Sequence, residues 1–367
     1  MSYKEKITDL AKKVPSTIVD FDEDRLRGRA PTQAFSEFLT NREQGDWAED
    51  LIIRAINSLS KNYVAVKYGK SDNLVAGEDG FDDFYESYQD ELDDIGKRPD
   101  LLLFPKDKYD EKWQKNISRF TKDELDKIVP LAIAGLEIRS SSFLIDKYDE
   151  EMNKRTTEHI TKVLEIKDKI LTEYKSLLED ATKKKYIALL EKMDEENLSI
   201  IDFRVPSWRS SDKLITLSEL FKEIKSSIKI IQKRDFLSIT PKVEDIKIVY
   251  KWIQTYNVPH YYFQVFFDKV YGIAFEHILE LITNANNEGV HFFVESGDAK
   301  NQNKATIKIN SKTGQEIAHK VDMPEHFSQM KELERGRLLF HVSFRGGEAY
   351  LNVTNLLELL NIDSKEF

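Results

Sequence analysis

LAIAGLEIRSSS, Leu131 to Ser142, is the stretch whose reading decides the fold. Its apolar and β-branched residues predict a strand, with Leu136 and Ile138 on one face and Glu137, Arg139 and Ser141 on the other. Upstream, KRPDLLLFP predicts a second short, buried strand, bounded by Pro99 and running from Asp100 to Phe104. Asp100 opens that strand, so it can approach the face that carries Glu137 and Arg139. The two carboxylates stand 37 positions apart, and the residues between them must therefore form an insertion before the strands pair.

Further out, Asp46 reads as the N-cap of a helix to about Ser60, with Trp47, Leu51, Ala55 and Leu59 on one face and Ala48 and Ile52 beside them. Glu49 lies at the border of that face, where it can look into a cleft while its helix stays docked. Tyr63 to Tyr68 alternates as a strand. Phe81, Phe84, Tyr85 and Tyr88 recur at helical spacing and predict an acidic surface helix with an aromatic underside. Thr121 with Glu124 forms a capping-box pattern that opens another helix. Residues 149–200 read as a helical arm with a break near Asp180 to Lys183, supporting the fold or a dimer contact rather than clamping DNA. Thr216 with Glu219, and Thr240 with Pro241 at the first helical position, open two more helices, the second running to about Tyr256.

PHYYFQVFF, Pro259 to Phe267, predicts a strand buried in a mixed sheet, followed by a helix from Tyr271 to Thr283. VHFFVES, KATIKINS and GRLLFHVSFRGGEAYLNV read as strands, with Gly346-Gly347 as a hairpin turn between Phe344 and Tyr350. The fold class is α/β: a mixed β-sheet flanked by helices, a long helical insertion and a β-rich C-terminal portion. The expected division is an N-terminal segment 1–45, a core formed by 46–148 and 201–288, the insertion 149–200, and the β-rich portion 289–367.

With 367 residues, 40% hydrophobic and 11% aromatic, the chain can bury a sizeable core despite 33% charged residues. It has no Cys, which excludes disulfides, thiolate nucleophiles and Cys-based metal sites. The N-terminus, MSYKEKITDL, lacks the apolar stretch of a signal peptide, and no run approaches membrane-spanning length; a soluble, cytoplasmic protein is expected. The seven His residues show no metal-ligand spacing, and no Walker A or dinucleotide fingerprint is present. Ser140 to Ser142 lack the Gly-x-Ser-x-Gly setting of a nucleophile elbow. The net charge of −10 argues at first against a nucleic-acid partner, but nine acids and no Lys or Arg fall between Glu78 and Gly96, leaving −1 elsewhere. Lysine-rich stretches at 222–234 and 300–320 leave room for a DNA cleft, and the acidic block is expected to face solvent away from it.

Two carboxylates gathered on one sheet face repel one another unless a hard cation sits between them, and oxygen ligands with open water positions suit Mg²⁺. The pattern Pro99-Asp100 followed by Glu137-x-Arg139 resembles the PD-(D/E)xK motif of Mg²⁺-dependent nucleases. On spacing alone, the same residues also read as an edge-of-strand Asp and a surface ion pair. The surrounding text is more specific: GDWAED, KRPDLLLF, GLEIRSSSF and the stretch from Pro241 through PHYYFQVFFDKVYGI resemble type II restriction endonucleases of the AccI type. The resemblance covers roughly residues 40–285 and weakens in the β-rich tail.

It implies a restriction-endonuclease-like core and a homodimer that cuts double-stranded DNA at a short palindrome with Mg²⁺, leaving 5′-phosphate and 3′-hydroxyl ends, beside a cognate methyltransferase. It also implies that Asp100 and Glu137 are the metal ligands and Glu49 a helix-borne acid of the site. Arg139 departs from the motif's Lys. It cannot deprotonate near neutral pH and so is no general base, but it can orient the scissile phosphate and neutralise developing charge. Ser140 and Ser141, Arg345 at the Gly-Gly turn, and Lys304 and Lys308 are candidates for phosphate or groove contacts. The competing readings are a repair or recycling nuclease of the same fold and a non-catalytic DNA-binding or assembly protein.

Overall fold

The computed structural model describes residues 1–70, 74–295, 305–363, 365 and 367. The chain opens with helix α1 (Tyr3–Ala11) and the long helix α2 (Ser36–Leu59), then strand β1 (Tyr63–Lys67), α3 (Phe81–Asp94), β2 (Leu101–Pro105), α4 (Lys122–Ile128) and β3 (Ala134–Ser140). Four helices follow: α5 (Ile145–Glu173), α6 (Lys175–Leu178), α7 (Lys185–Glu191) and α8 (Asp212–Ile231). The chain continues through β4 (Ser238–Ile239), α9 (Val243–Tyr256), β5 (His260–Val265), β6 (Val270–Ala274) and α10 (Phe275–Thr283). Last come β7 (Phe292–Glu295), β8 (Thr306–Asn310), β9 (Gln315–Val321), β10 (Glu325–Glu332), β11 (Leu338–Arg345), β12 (Ala349–Leu351) and α11 (Val353–Leu360).

Seven strands form one mixed sheet in the order β1-β2-β3-β5-β6-β9-β12, in which β3 and β5 are the parallel pair and the other neighbours are antiparallel. A parallel pair needs a crossover between its strands. Here the crossover carries α5 through α9. Strand alternation divides the core into two layers. Leu102, Phe104, Tyr262 and Ile273 pack with α9 and α10 on one face. Leu101, Leu103, Leu136, Ile138, Tyr261 and Phe263 pack with α2 and α11 on the other. The expected separation of Leu136 and Ile138 from Glu137 and Arg139 therefore holds.

The chain forms two compact units, Met1–Ile145 with Leu237–Phe367, and Asp146–Phe236. The insertion expected at 149–200 thus extends to Phe236. The reason is α8, whose Leu217, Phe221, Ile224 and Ile228 bury against Val163, Ile170, Tyr186 and Leu190. Tyr186, Trp208 and Phe221 lock this second unit with ring contacts of 5.0–6.0 Å.

Several boundaries differ from the sequence expectation. α2 starts at Ser36, ten residues before Asp46, because Leu39 and Gln44 extend its buried side. α8 is capped by Ser211, whose hydroxyl accepts from the Leu214 N–H, and Thr216 lies inside the helix. α9 has Lys242 as its N-cap, so Thr240 and Pro241 precede it. Residues 270–274 pair with β5 as a strand, and only from Phe275 does the helix begin. Gly346 and Gly347, both at positive φ, do not close a hairpin: β11 pairs with β10 and β12 with β9, so the turn passes the chain between two sheets. The Trp47 indole N–H donates to the Gly346 carbonyl at 2.9 Å and pins that turn to α2. Among the described residues no helix is long and apolar enough to cross a membrane.

His260 is fully buried between Trp252, Tyr262 and Phe275, and neither ring nitrogen has a hydrogen-bond partner among the described residues. Burial lowers its pKa from 6.5 to about 3, against the opposing pull of Glu137. A depressed histidine is neutral in the fold and charged in the unfolded chain below its ordinary pKa, so stability is lost as pH falls from 6.5 toward 3. His260→Phe should flatten this acid limb. Chemical denaturation at pH 7 and pH 4.5 should show the variant losing roughly 2–3 kcal/mol less than the wild type, and equal losses would exclude His260 as the cause.

Candidate active site

β2 and β3 run antiparallel with Leu101 opposite Leu136, which sets Asp100 beside Glu137 and Ile138. The close approach depends on Gly135: a Cβ there would stand 2.7 Å from Pro99 Cγ and 3.0 Å from Trp252 Cη2. The Asp100 carboxylate accepts from the Ile138 N–H at 2.6 Å, which ties the start of one strand to the other. The intervening residues supply α4 and short 3₁₀ turns, as the 37-residue spacing requires.

Glu137 is 1% exposed yet charged. Its Oε1 accepts from Lys97 Nζ at 2.5 Å and lies 2.8 Å from Arg139 Nη2. Asp245, on the first turn of α9, closes the group: its Oδ2 lies 2.8 Å from Arg139 Nη2 and 3.5 Å from Lys97 Nζ. Two anions and two cations thus form a ring, and a buried charge is tolerable only under such compensation. Beside it, Glu49 on α2 pairs with Lys67, at the end of β1, at 2.9 Å.

The carboxylates respond differently to this field. Burial pushes Asp100 well above the usual carboxylate range, and the facing Glu137 and Glu49 push it the same way. Burial also acts upward on Glu137, but the Lys97 and Arg139 charges overcome it and hold the group below its ordinary value. Glu49 is raised, chiefly by burial, against the pull of Lys67. A pair whose members are driven in opposite directions is a frequent mark of a functional site.

A cavity of about 480 Å³ opens onto this group. Asp100, Glu137, Arg139, Glu49, Lys97 and Lys67 line its floor, and Arg42 and Lys70 add further positive charge. Phe81, Phe84 and Tyr88 of α3 form an aromatic wall. The acidic segment therefore does not lie away from the cleft as its charge predicted. Its aromatic side faces in, while Asp82, Asp83, Glu86 and Asp90 remain exposed. The reason is pairing: Asp93 holds Arg25 at 2.8 Å, Glu91 holds Arg98 at 2.6 Å and Lys70 at 3.4 Å, and Lys70 also lies over the Phe84 ring.

The sequence model of the AccI restriction endonuclease family matches residues 1–367, the whole chain. The chain belongs to the AccI restriction endonuclease family. It is a type II restriction endonuclease, a site-specific deoxyribonuclease. The match includes the β-rich tail, where the likeness read from the sequence faded. No curated protein and no solved structure matches the chain.

Of the residues singled out in the sequence, Asp100, Glu137, Arg139 and Glu49 converge in this family member. Ser140, Ser141, Arg345 and Lys308 do not join them in the cavity. Ser140 and Ser141 lie at the far end of β3, where the Ser141 N–H donates to the Val265 carbonyl at 2.9 Å. Arg345 ends β11 with its guanidinium 5.7 Å from the Phe327 ring, and Lys308 lies on β8 with Nζ 3.9 Å from Glu295. Lys304 lies outside the described residues. No sequence motif points to Lys97, Lys67 or Asp245. Lys97 stood three residues before Asp100 in KRPD, but nothing in the pattern assigns it a role.

Among the described residues no cluster of three or more His, Cys, Asp or Glu side chains is arranged to hold a metal ion. Two facing carboxylates nevertheless fit a cation that keeps most of its waters, as Mg²⁺ does. The buried Glu137 Oε2 has no hydrogen-bond partner among the described residues and is the oxygen left for it. Asp100→Asn should relieve the carboxylate repulsion while keeping an acceptor for Ile138. Its melting temperature in EDTA should match or exceed the wild type's, by a few degrees for each kcal/mol relieved, and Mg²⁺ should raise the melting temperature of the wild type but not of the variant. A lower melting temperature in EDTA, or an undiminished Mg²⁺ shift, would contradict this.

Proposed function

We propose that this enzyme hydrolyses phosphodiester bonds of double-stranded DNA at a short palindromic site with Mg²⁺ held by Asp100 and Glu137, leaving 5′-phosphate ends. The observation that carries this reading is the opposition of those two carboxylates, one raised and one lowered, on the floor of a cavity that also presents Arg139 and Lys97.

Asp100 and Glu137 would bind the cation from the paired strands. Bound there, it supplies polarisation of the phosphodiester, a lower pKa for the attacking water and charge stabilisation at the leaving 3′-oxygen. The remaining steps rest on the chain's own groups. Arg139 keeps about a third of its side chain exposed, with 35% accessible, so it can reach a phosphate while its Nη2 stays anchored to Glu137 and Asp245. A guanidinium that is already anchored costs little reorganisation when it orients the scissile phosphate and offsets the charge that grows on it. Neither Arg139 nor Lys97 is poised to accept a proton, since both are held in their charged forms by the two carboxylates. The proton of the attacking water is therefore not passed to either cation. Glu49 supports the site from α2, with Lys67 as its counter-charge.

A homodimer acting on a palindrome, beside a methyltransferase that protects the same site, completes the proposal. It is supported by the family's restriction activity and by the symmetry that a palindrome demands of its reader.

Plasmid digestion tests this. Mg²⁺ should give a discrete banding pattern with 5′-phosphate ends. Asp100→Ala and Glu137→Ala should abolish cutting while still binding DNA in Ca²⁺, and Arg139→Ala should lose on the order of 10²–10³-fold in rate. A smear of random products would indicate a recycling nuclease, and the absence of product with any divalent ion would refute nuclease action by this site.

A further inference from the structure

Asp245 lies outside the motif, 108 positions beyond Glu137, yet it touches both cations that neutralise that carboxylate. Its helix holds Lys97 twice. The Lys97 N–H donates to the Ile248 carbonyl of α9 at 3.0 Å, and its ammonium lies between Asp245 and Glu137. The preceding Gly96, at φ +83, is what lets the backbone come this near: a Cβ there would collide with the Ile248 carbonyl.

We propose that Asp245 is a positioning residue for the metal-binding carboxylate: it draws Arg139 and Lys97 partly off Glu137 and so leaves Glu137 enough negative charge to bind a divalent cation. The inference rests on the reading of Asp100 and Glu137 as the cation's ligands. Arg139 Nη2 stands 2.8 Å from each carboxylate, a symmetrical sharing, and Lys97 is shared at 2.5 and 3.5 Å. If the charge on Asp245 is removed, both cations bear on Glu137 alone. They would then offset the one carboxylate whose free oxygen, Oε2, is available to the metal. Partners that orient or charge-balance a metal ligand in this way commonly govern affinity by one or two orders of magnitude.

The test is Mn²⁺ binding by calorimetry on the full-length protein without DNA, which does not depend on cleavage. Asp245→Asn keeps the shape and removes the charge, and its Mn²⁺ affinity should fall about tenfold or more. Lys97→Met combined with Asp245→Asn removes one charge of each sign and should restore affinity to within about threefold of the wild type, the non-additivity expected of groups in one network. Wild-type affinity in Asp245→Asn, or a double variant as weak as the single one, would overturn the proposal. If circular dichroism shows that Asp245→Asn alone does not fold, the double variant decides: recovery supports the role and a tenfold loss overturns it. Failure of the underlying reading is separately visible, because Asp100→Ala would then bind Mn²⁺ as well as the wild type does.

Discussion

A carboxylate sealed inside a sheet must be neutralised where it sits, and Glu137 imposes that requirement on the rest of the molecule. The cost of burying a lone carboxylate is several kcal/mol even after relaxation. It is offset here by two cations from separate parts of the chain, Arg139 on the same strand and Lys97 ahead of β2, both of them shared with Asp245 on α9. To meet at one carboxylate, β2 must pair with β3, and α9 must pack on the sheet face that Glu137 occupies. Gly135 admits Pro99 and Trp252 at that junction. Packing and chemistry are thus joined, since the contacts that make Glu137 tolerable are those that place Asp100 opposite it.

Charge has a similar double role around the cavity. The net charge of −10 is concentrated in the segment that forms α3, and a block of that sign is expected to avoid a DNA cleft. α3 nevertheless walls the cavity with Phe81, Phe84 and Tyr88. Four of its acids, Asp90, Glu91, Asp93 and Asp94, pair with Arg25, Arg27, Lys70, Arg98 and Lys122, drawn from the N-terminal segment, the chain after β1 and before β2, and the start of α4. A sum over the sequence could not register this, because the balancing charges are distant in the chain and adjacent only in the fold.

How much was legible follows the same division. The strands and their faces could be read from alternation at Leu101 to Phe104 and Leu136 to Arg139, and the meeting of Asp100 with Glu137 followed from antiparallel register. Glu49 could be placed at the border of an apolar helical face. Lys97 and Asp245 could not be found this way. The contact of Lys97 with Glu137 spans 40 positions and that of Lys97 with Asp245 spans 148, and no periodicity encodes such pairs. Boundaries failed where local signals competed. VYGIA suits a strand or the first turn of a helix, and only its pairing with β5 decides. Residues 36–45 are too polar to announce a helix, although Leu39 and Gln44 bury its side. α8 carries a stripe that any core could accept, and its burial against α5 and α7 is what places it in the second compact unit.

The central claim is that Asp100 and Glu137 together form a divalent-cation site. Anomalous diffraction from crystals of the full-length protein grown with Mn²⁺ tests it most directly. The account predicts a peak between the Asp100 and Glu137 carboxylates, within coordination distance of Glu137 Oε2. A peak elsewhere in the cavity, or none in crystals that contain Mn²⁺ and DNA, would contradict it.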